Sequence, residues 1–478
     1  MDTTAKSPRE DRKAKQAALE AALHDSTMTP RDDRKDRGKN LREAYPHQAH
    51  AGWTVPADRR DPIDILEESN RGRIPELIPR RYGRMLPSPF TFYRGAAALM
   101  AADLATTPNT KVPVQVCGDC HLLNFGAFAT PERNVIFDIN DFDETLPAPW
   151  EWDVKRLAVS FVLAARANDL KPKFEREAAE RVVSAYREKM GDYAKMSVLD
   201  IWYARIDWQS VIASTSDEEL QKRRKEKLKR EMRRTIQDYY FPKLAEQRDG
   251  RFEFKDNPPL MYHLPGSEQK TFHERVAGAL ELYGESLQED RRRLLHRYRL
   301  ADAAIKVVGI GSVGTMCAVA LMLAPDNEPL LLQLKEARAS VLEPYVGKSQ
   351  FENHGQRVVE GQRIVQSASD ILLGWTKFDD GKQFYVRQLR DTKVTLEPEL
   401  WDGTQLVEIA GVMGSALARA HARSGDAAVI RGYLGSQDSF DKAVTDFAVA
   451  YANQTEKDHS ALVAAVESGR IKAVREEG

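Results

Sequence analysis

Val114–Ser160 reads VQVCGDCHLLNFGAFATPERNVIFDINDFDETLPAPWEWDVKRLAVS, and its reading decides the fold. Two polar clusters close apolar runs here: Gly118-Asp119-Cys120-His121-Leu122-Leu123-Asn124 and Asn140-Asp141-Phe142-Asp143-Glu144. Between them, the apolar-rich run Asn134–Ile139 follows a turn at Pro131-Glu132-Arg133, the pattern of a strand leaving a turn. A strand–turn–strand brings Asp119, Asn124 and Asp141 to one end of a hairpin. Oxygen ligands crowded there repel one another unless a cation sits among them. Mg²⁺ prefers a few carboxylate or amide oxygens completed by phosphate oxygens.

These clusters resemble the active-site half of the protein-kinase-like fold, above all its aminoglycoside- and choline-kinase branch. In that branch a Gly-Asp-x-His-x-x-Asn loop supplies a catalytic Asp and a metal-binding Asn, and a following Asp-Phe or Asp-Trp pair supplies the second metal ligand. Gly118–Asn124 matches this spacing residue for residue. The resemblance implies Asp119 as general base and Asn124 and Asp141 as Mg²⁺ ligands. Asp143 or Glu144 would assist the metal or bind a cationic substrate, and Asp138 replaces Asp141 if the strand register differs. Asp153, in Trp152-Asp153-Val154-Lys155-Arg156, occupies the place of an Asp that opens the next helix and braces the loop. Cys117 stands where the family usually has His. His121 reads as a structural hydrogen-bonder, since no second His lies nearby in sequence.

A chain of 478 residues can bury a large core and is long enough for two or three domains or lobes. A net charge of −1 gives no global field toward nucleic acid or membrane. No apolar run reaches 18 residues, and the N-terminus has no apolar signal core, so no membrane span and a cytoplasmic location are expected. Cys117, Cys120 and Cys317 make no disulfide framework. Cys117-Gly118-Asp119-Cys120-His121 also fits a c-type haem attachment string and a redox pair. Neither explains Asp119 and Asn124, and two small, partly buried thiols are the preferred reading.

Met1 to about Pro46 is charged and has no aromatic residue before Tyr45. Residues 1–50 are therefore expected to be a mobile tail, with a short helix at Lys13–His24 compatible with its residues. Arg94, in Met85–Gly95, is a candidate to reach a phosphate or an acidic site residue. SPFTFYRG, CGDCHLLNFG and NDFDET resemble the recurring signatures of the bacterial family called domain of unknown function 2252. Val154, Leu157, Ala158, Phe161, Val162 and Ala165 share one helical face. Lys222–Arg234 carries nine basic and two acidic residues with no interleaved aromatics, which reads as one solvated helix rather than a nucleic-acid surface.

The pattern changes at Ala303–Ala337, which alternates apolar runs with a Gly-rich turn and a polar turn. Gly309-Ile310-Gly311-Ser312-Val313-Gly314 fits G-x-G-x-x-G, which dinucleotide-binding folds share. Those folds open a helix after the third Gly. Here the Pro325–Pro329 turn and the Leu330–Leu334 run ending in Lys335 predict a hairpin and a third strand, as in a kinase Gly-rich loop followed by its phosphate-pairing Lys. Gly309, Gly311, Ser312, Gly314 and Lys335 are thus nucleotide candidates. Glu360, on a helix over about Gln356–Ser367, is the expected partner of Lys335, with Glu336, Glu343 and Glu352 as competitors. Gln383–Leu389 reads as a strand entering a hinge, where backbone groups near Gln388–Arg390 would meet adenine. Thr404–Ala422 is an amphipathic helix, and Ser439–Glu467 a last helical stretch.

Kinase order is thereby inverted: catalytic loop and metal Asp come first, the nucleotide lobe later. A circular permutation, cut between the Thr404 helix and the Val114 strand, accounts for this. The expected fold class is α+β, a permuted protein-kinase-like fold with a small antiparallel β lobe and a large helical lobe. Residues 51–300 would form the helical lobe with the catalytic loop, 301–395 the nucleotide lobe, and 396–478 the completing helices. The expected activity is an ATP- and Mg²⁺-dependent phosphotransferase of unknown acceptor. The alternatives are a nucleotide-binding pseudokinase or regulatory module, and a metal-dependent phosphoesterase built on Asp119, His121 and Asp138/Asp141/Asp143. The expected partners are ATP and an acceptor, with neither membrane nor nucleic acid.

Overall fold

The computed structural model describes residues 28–234, 236–389, 393–394 and 396–474. The helix considered at Lys13–His24 lies outside them. The fold is α+β with antiparallel sheets. Strand β1 (Pro113–Val116) pairs with β4 (Leu146–Pro149), and β2 (Phe125–Ala129) with β3 (Val135–Ile139), so the loop after β1 and the loop after β3 emerge side by side. The next helix, Trp150–Ala167, is buried from Trp150 through Ala165, not on one face alone. It can bury its charged residues because each finds a partner. Glu151 accepts from Thr110 N at 2.7 Å, and Lys155 donates to Thr107 Oγ1 at 2.9 Å. Asp153 and Arg156 hold the loop Cys117–Asn124, as described below.

A six-stranded sheet forms the second body of β structure. Its strands are β5 (Met261–Tyr262), β6 (Arg299–Lys306), β7 (Cys317–Leu323), β8 (Pro329–Glu336), β9 (Gly374–Lys377) and β10 (Gln383–Gln388), in the order β9-β10-β8-β7-β6-β5. Both faces are covered. Phe272, Val276 and Tyr283 of the Ser267–Glu285 helix pack on Ala303, Ala318 and Leu332, while Tyr240 and Phe254 cover Ala304, Val319 and Leu331. β6 and β7 form an antiparallel hairpin across the Gly-rich turn, and no helix opens after Gly314. The dinucleotide-type reading of that string is therefore not realised.

The helix Gly403–Ser424 starts at a capping box between Asp402 and Gln405 and buries Leu406, Ile409, Met413, Leu417 and Ala420. Its last turn abuts β1, where Gln115 N donates to Ser424 Oγ at 3.1 Å. The helix Ser439–Glu467 packs on Trp150–Ala167 and Pro172–Tyr193. Among the described residues no helix is long and apolar enough to cross a membrane.

The expectation of a tail over residues 1–50 is corrected for its second half. Arg31–Ala44 is a helix lying on the helix Ala427–Leu434. It adheres without an apolar stripe, which is why composition missed it. Gly38 and Gly432 let the two backbones touch: a Cβ on Gly38 would stand 2.0 Å from Val429 O. Arginines complete the joint, with Arg34 on Asp426 at 2.9 Å and Arg31 on the carbonyls of Lys195 and Met196 at 2.9 Å. Gly38→Val is expected to release this helix at a cost of about 1–3 kcal/mol. Limited proteolysis within residues 31–44 should quicken severalfold; an unchanged cleavage rate would refute the close packing.

Candidate functional site

The loop Cys117–Asn124 is fixed from below by the Trp150–Ala167 helix. Asp153 accepts from Cys117 N at 2.8 Å and Gly118 N at 3.1 Å, the bracing role its position implied. His421 Nε2 lies 3.4 Å from Asp153, and Tyr186 OH holds the other ring nitrogen at 2.9 Å. Because the backbone, not the Cys117 side chain, is what Asp153 grips, Cys in place of the family's His leaves the loop anchored. Gly118 has φ +80 and lies so close to the second loop that a Cβ would stand 2.4 Å from Glu144 O, so only glycine fits. The Cys117 and Cys120 thiols are buried, and burial pushes Cys120 up to about 11 and Cys117 upward as well. They are protonated packing groups, as expected.

Asp119, His121, Asn124, Asp141, Asp143 and Glu144 line one cavity of about 580 Å³, whose opposite wall is the turn Gly309–Ser312 with Thr315, Glu336 and Arg338. The two stretches are joined directly, since Ser312 Oγ donates to Asp143 Oδ2 at 3.0 Å. Gly314 is turned elsewhere: its carbonyl accepts from Ile74 N at 2.7 Å. The N-terminal helices also reach the turn, through Arg73 on Val313 O at 2.6 Å and Arg84 on Gly309 O. Arg94 lines the cavity, near enough to Asp119 to feel its charge, and its Nε has no partner among the described residues.

Asp119 is held by Arg156, whose Nε donates to Oδ1 at 2.8 Å and whose Nη2 donates to the same oxygen. Oδ2 is left toward the cavity side, 3.9 Å from His121 Nε2. Burial pushes the Asp119 carboxyl up to about 7 against the pull of Arg156, into the range where a base operates near neutral pH. Burial also drives His121 well below its usual value, so it is neutral, and its Nδ1 has no partner among the described residues. Asn124 donates its amide N–H to Asp119 O at 2.6 Å, which turns its carbonyl oxygen outward as an acceptor. Asn124 and Asp141 thus offer the hard oxygens that Mg²⁺ takes, with room beside them for phosphate.

Three expected roles are corrected. Asp143 is not an available metal ligand. Its Oδ2 accepts from Lys335 Nζ at 2.5 Å and from Ser312, and its Oδ1 accepts from Tyr385 OH at 2.9 Å. Burial would raise this carboxyl, but Lys335 and the two hydroxyls outweigh it and hold it below the usual range. Lys335 therefore pairs with Asp143, and lies 3.9 Å from Asp141, rather than with Glu360. Glu360 is bound to Arg363 at 3.1 Å; one turn earlier Arg357 faces the site and grips the carbonyls of Thr145 and Asp143 at 2.6 and 2.7 Å. Of the competitors, Glu336 accepts from Met316 N at 2.7 Å. Gln388 does not offer its N–H to a base: that group and its side-chain amide both donate to Asp370, at 2.6 and 3.0 Å. Asp138 lies outside the cavity, fully buried on Arg419 and Ser367, so Asp138, Asp141 and Asp143 form no common metal cluster.

A family model described as an uncharacterised protein conserved in bacteria, domain of unknown function 2252, matches residues 73–465. The chain belongs to that family. No curated protein and no solved structure matches it. In this DUF2252 chain the site residues that sequence reasoning missed are Arg156 as the partner of Asp119, and Tyr385 and Asp370. For Arg156 a signal existed: it lies three residues after Asp153 on the same helix, beside an apolar face, where a cation needs a buried anion.

Proposed function

We propose that the protein is an ATP-dependent phosphotransferase of the protein-kinase-like type, with its two halves in permuted order. The observation that carries this reading is the shared cavity: Asp119, Asn124 and Asp141 face the Gly309–Ser312 turn although Lys335 follows Asp143 by 192 positions. The contact between Ser424 and Gln115 supports the permutation, because it joins the two chain points that an unpermuted kinase would connect.

In this reading Asn124 Oδ1 and the Asp141 carboxylate hold Mg²⁺, which when bound neutralises charge on the transferred phosphoryl oxygens. The Gly309–Ser312 backbone covers the phosphates. Lys335, buried on Asp143 and 3.9 Å from Asp141, would bring its ammonium charge to the phosphate oxygens beside the metal. Asp119 Oδ2 takes the proton of the acceptor hydroxyl as its oxygen bonds to the γ-phosphorus and the bond to ADP breaks. Arg156 keeps that carboxylate aimed and the acceptor atom well defined as Oδ2.

A second reading, a module that binds nucleotide without transfer, is favoured by one observation: Arg156 already satisfies Asp119 as a structural ion pair would. A thermal-shift series tests the binding step common to both. ATP with Mg²⁺ should raise Tm, with about 2.7 kcal/mol of stabilisation at a hundredfold excess over Kd. Lys335→Ala should remove most of the shift. Stabilisation by NAD and none by ATP would overturn both readings.

A further inference from the structure

The turn Leu122–Asn124 and the junction Asn140–Asp141 form a partition, closed by Asn140 N donating to Asn124 O at 2.7 Å. Asn124 and Asp141 line the acidic cleft, whereas their neighbours Leu123 and Asn140 line a second cavity of about 720 Å³ behind it. Its charge is opposite. Eight Lys and Arg residues line it against three carboxylates. Lys227 and Arg230 come from the basic helix Glu218–Met232, Arg234 and Lys243 from the segment after it, Lys306 from the end of β6 and Arg387 from β10.

Two of the three carboxylates each neutralise one of these cations, the third is held by a neutral group, and the cations remain in excess. Glu231 is bound to Arg234 at 2.6 Å, Glu397 to Lys227 at 2.8 Å, and Asp370 holds Gln388. Arg387 donates to a neutral group, Gln333 Oε1, at 3.2 Å. Cations drawn from four separate segments into one cavity repel one another, the more so where water is scarce. Among the described residues that line the cavity, the cations outnumber the carboxylates. The volume falls in the range of small-molecule sites, about 300–1,000 Å³.

We propose that this second cavity binds the phosphate chain of a small, multiply phosphorylated ligand, at a site separate from the metal-type carboxylates. Guanidinium groups match phosphate oxygens in pairs, and Arg230, Arg234 and Arg387 supply three of them. The basic helix thus has a second side to its role: part of it is solvated, and part is the wall of an anion site.

Calorimetry on the full chain, with chelator and no divalent metal, tests this with inorganic triphosphate. Saturable binding that weakens as salt rises is expected. Arg387→Gln and Lys306→Gln should each weaken it about tenfold, as for the loss of one hydrogen bond to a charged group. The exposed pair Arg230→Gln/Lys243→Gln should weaken it severalfold without the folding risk of Arg387, while Asp141→Asn binds as wild type does. Competition with ATP and with adenosine separates the sources: a nucleotide is the ligand class if ATP displaces triphosphate and adenosine does not, and another phosphorylated metabolite if neither does. No binding by wild type, equal binding by all cation variants, binding lost in Asp141→Asn, or capture of RNA but not of triphosphate would each overturn the proposal.

Discussion

Under the proposed transferase reading, Asp119→Asn is expected to lower ATP turnover by about 10²–10⁴-fold, the usual loss when a general base is removed, and to leave ATP·Mg²⁺ binding intact. The substitution keeps an acceptor oxygen for Arg156, so the loop should stay in place while the proton-accepting Oδ2 is lost. Asp141→Asn behaves differently, because the amide is a poorer metal ligand than the carboxylate: metal-dependent binding and turnover fall together. Turnover assays beside calorimetry on wild type and both variants read the split. Equal turnover in wild type and Asp119→Asn would remove Asp119 from the chemistry. Binding of ATP·Mg²⁺ by wild type with no turnover at all would favour the binding module over the transferase.

Arg419→Met destabilises the protein by about 3–5 kcal/mol, the cost of leaving a buried charge without its partner. Asp138 and Arg419 are both fully buried, joined at 2.5 Å, and Asp138 also accepts from Ser367 N and Oγ at 3.0 Å. The pair ties β3, which delivers Asp141, to the Gly403–Ser424 helix. Arg419 Nε and Nη1 have no partner among the described residues, so the pair is not an optimal one. The double variant Asp138→Asn/Arg419→Met should therefore recover more than half of the loss, since Asn still accepts from Ser367 and no charge is stranded. Chemical denaturation measures both; a double variant no more stable than Arg419→Met would show that the charge is not the cause.

What could be read from sequence was what short-range pattern encodes. The loop Gly118–Asn124, the β6–β7 hairpin and the helices Gly403–Ser424 and Ser439–Glu467 follow from turn residues, alternation and helical spacing, and the structure has them within a residue or two. What failed depends on which side chains meet across long separations. Nothing local says that Lys335 meets Asp143 and not Glu360, because Arg357 and Glu360 stand one turn apart on the same helix and either could have faced the site. Gln388 lost its expected role to Asp370, 18 positions away. Arg31–Ala44 was invisible because its adhesion uses missing side chains, Gly38 and Gly432, where composition counts apolar ones.

The cavity's two walls also set a timetable. Asp143 leaves the ribosome 192 residues before Lys335, a delay of about 10–40 s at synthesis rates of roughly 5–20 residues per second. Through most of that interval the nascent chain carries Asp119, Asp141 and Asp143 before the Gly309–Ser312 turn has been made, and through all of it without the Lys335 ammonium. The wall that carries Asp119, Asp141 and Asp143 is thus made first, and the cavity exists only once the Gly309–Ser312 turn closes onto it.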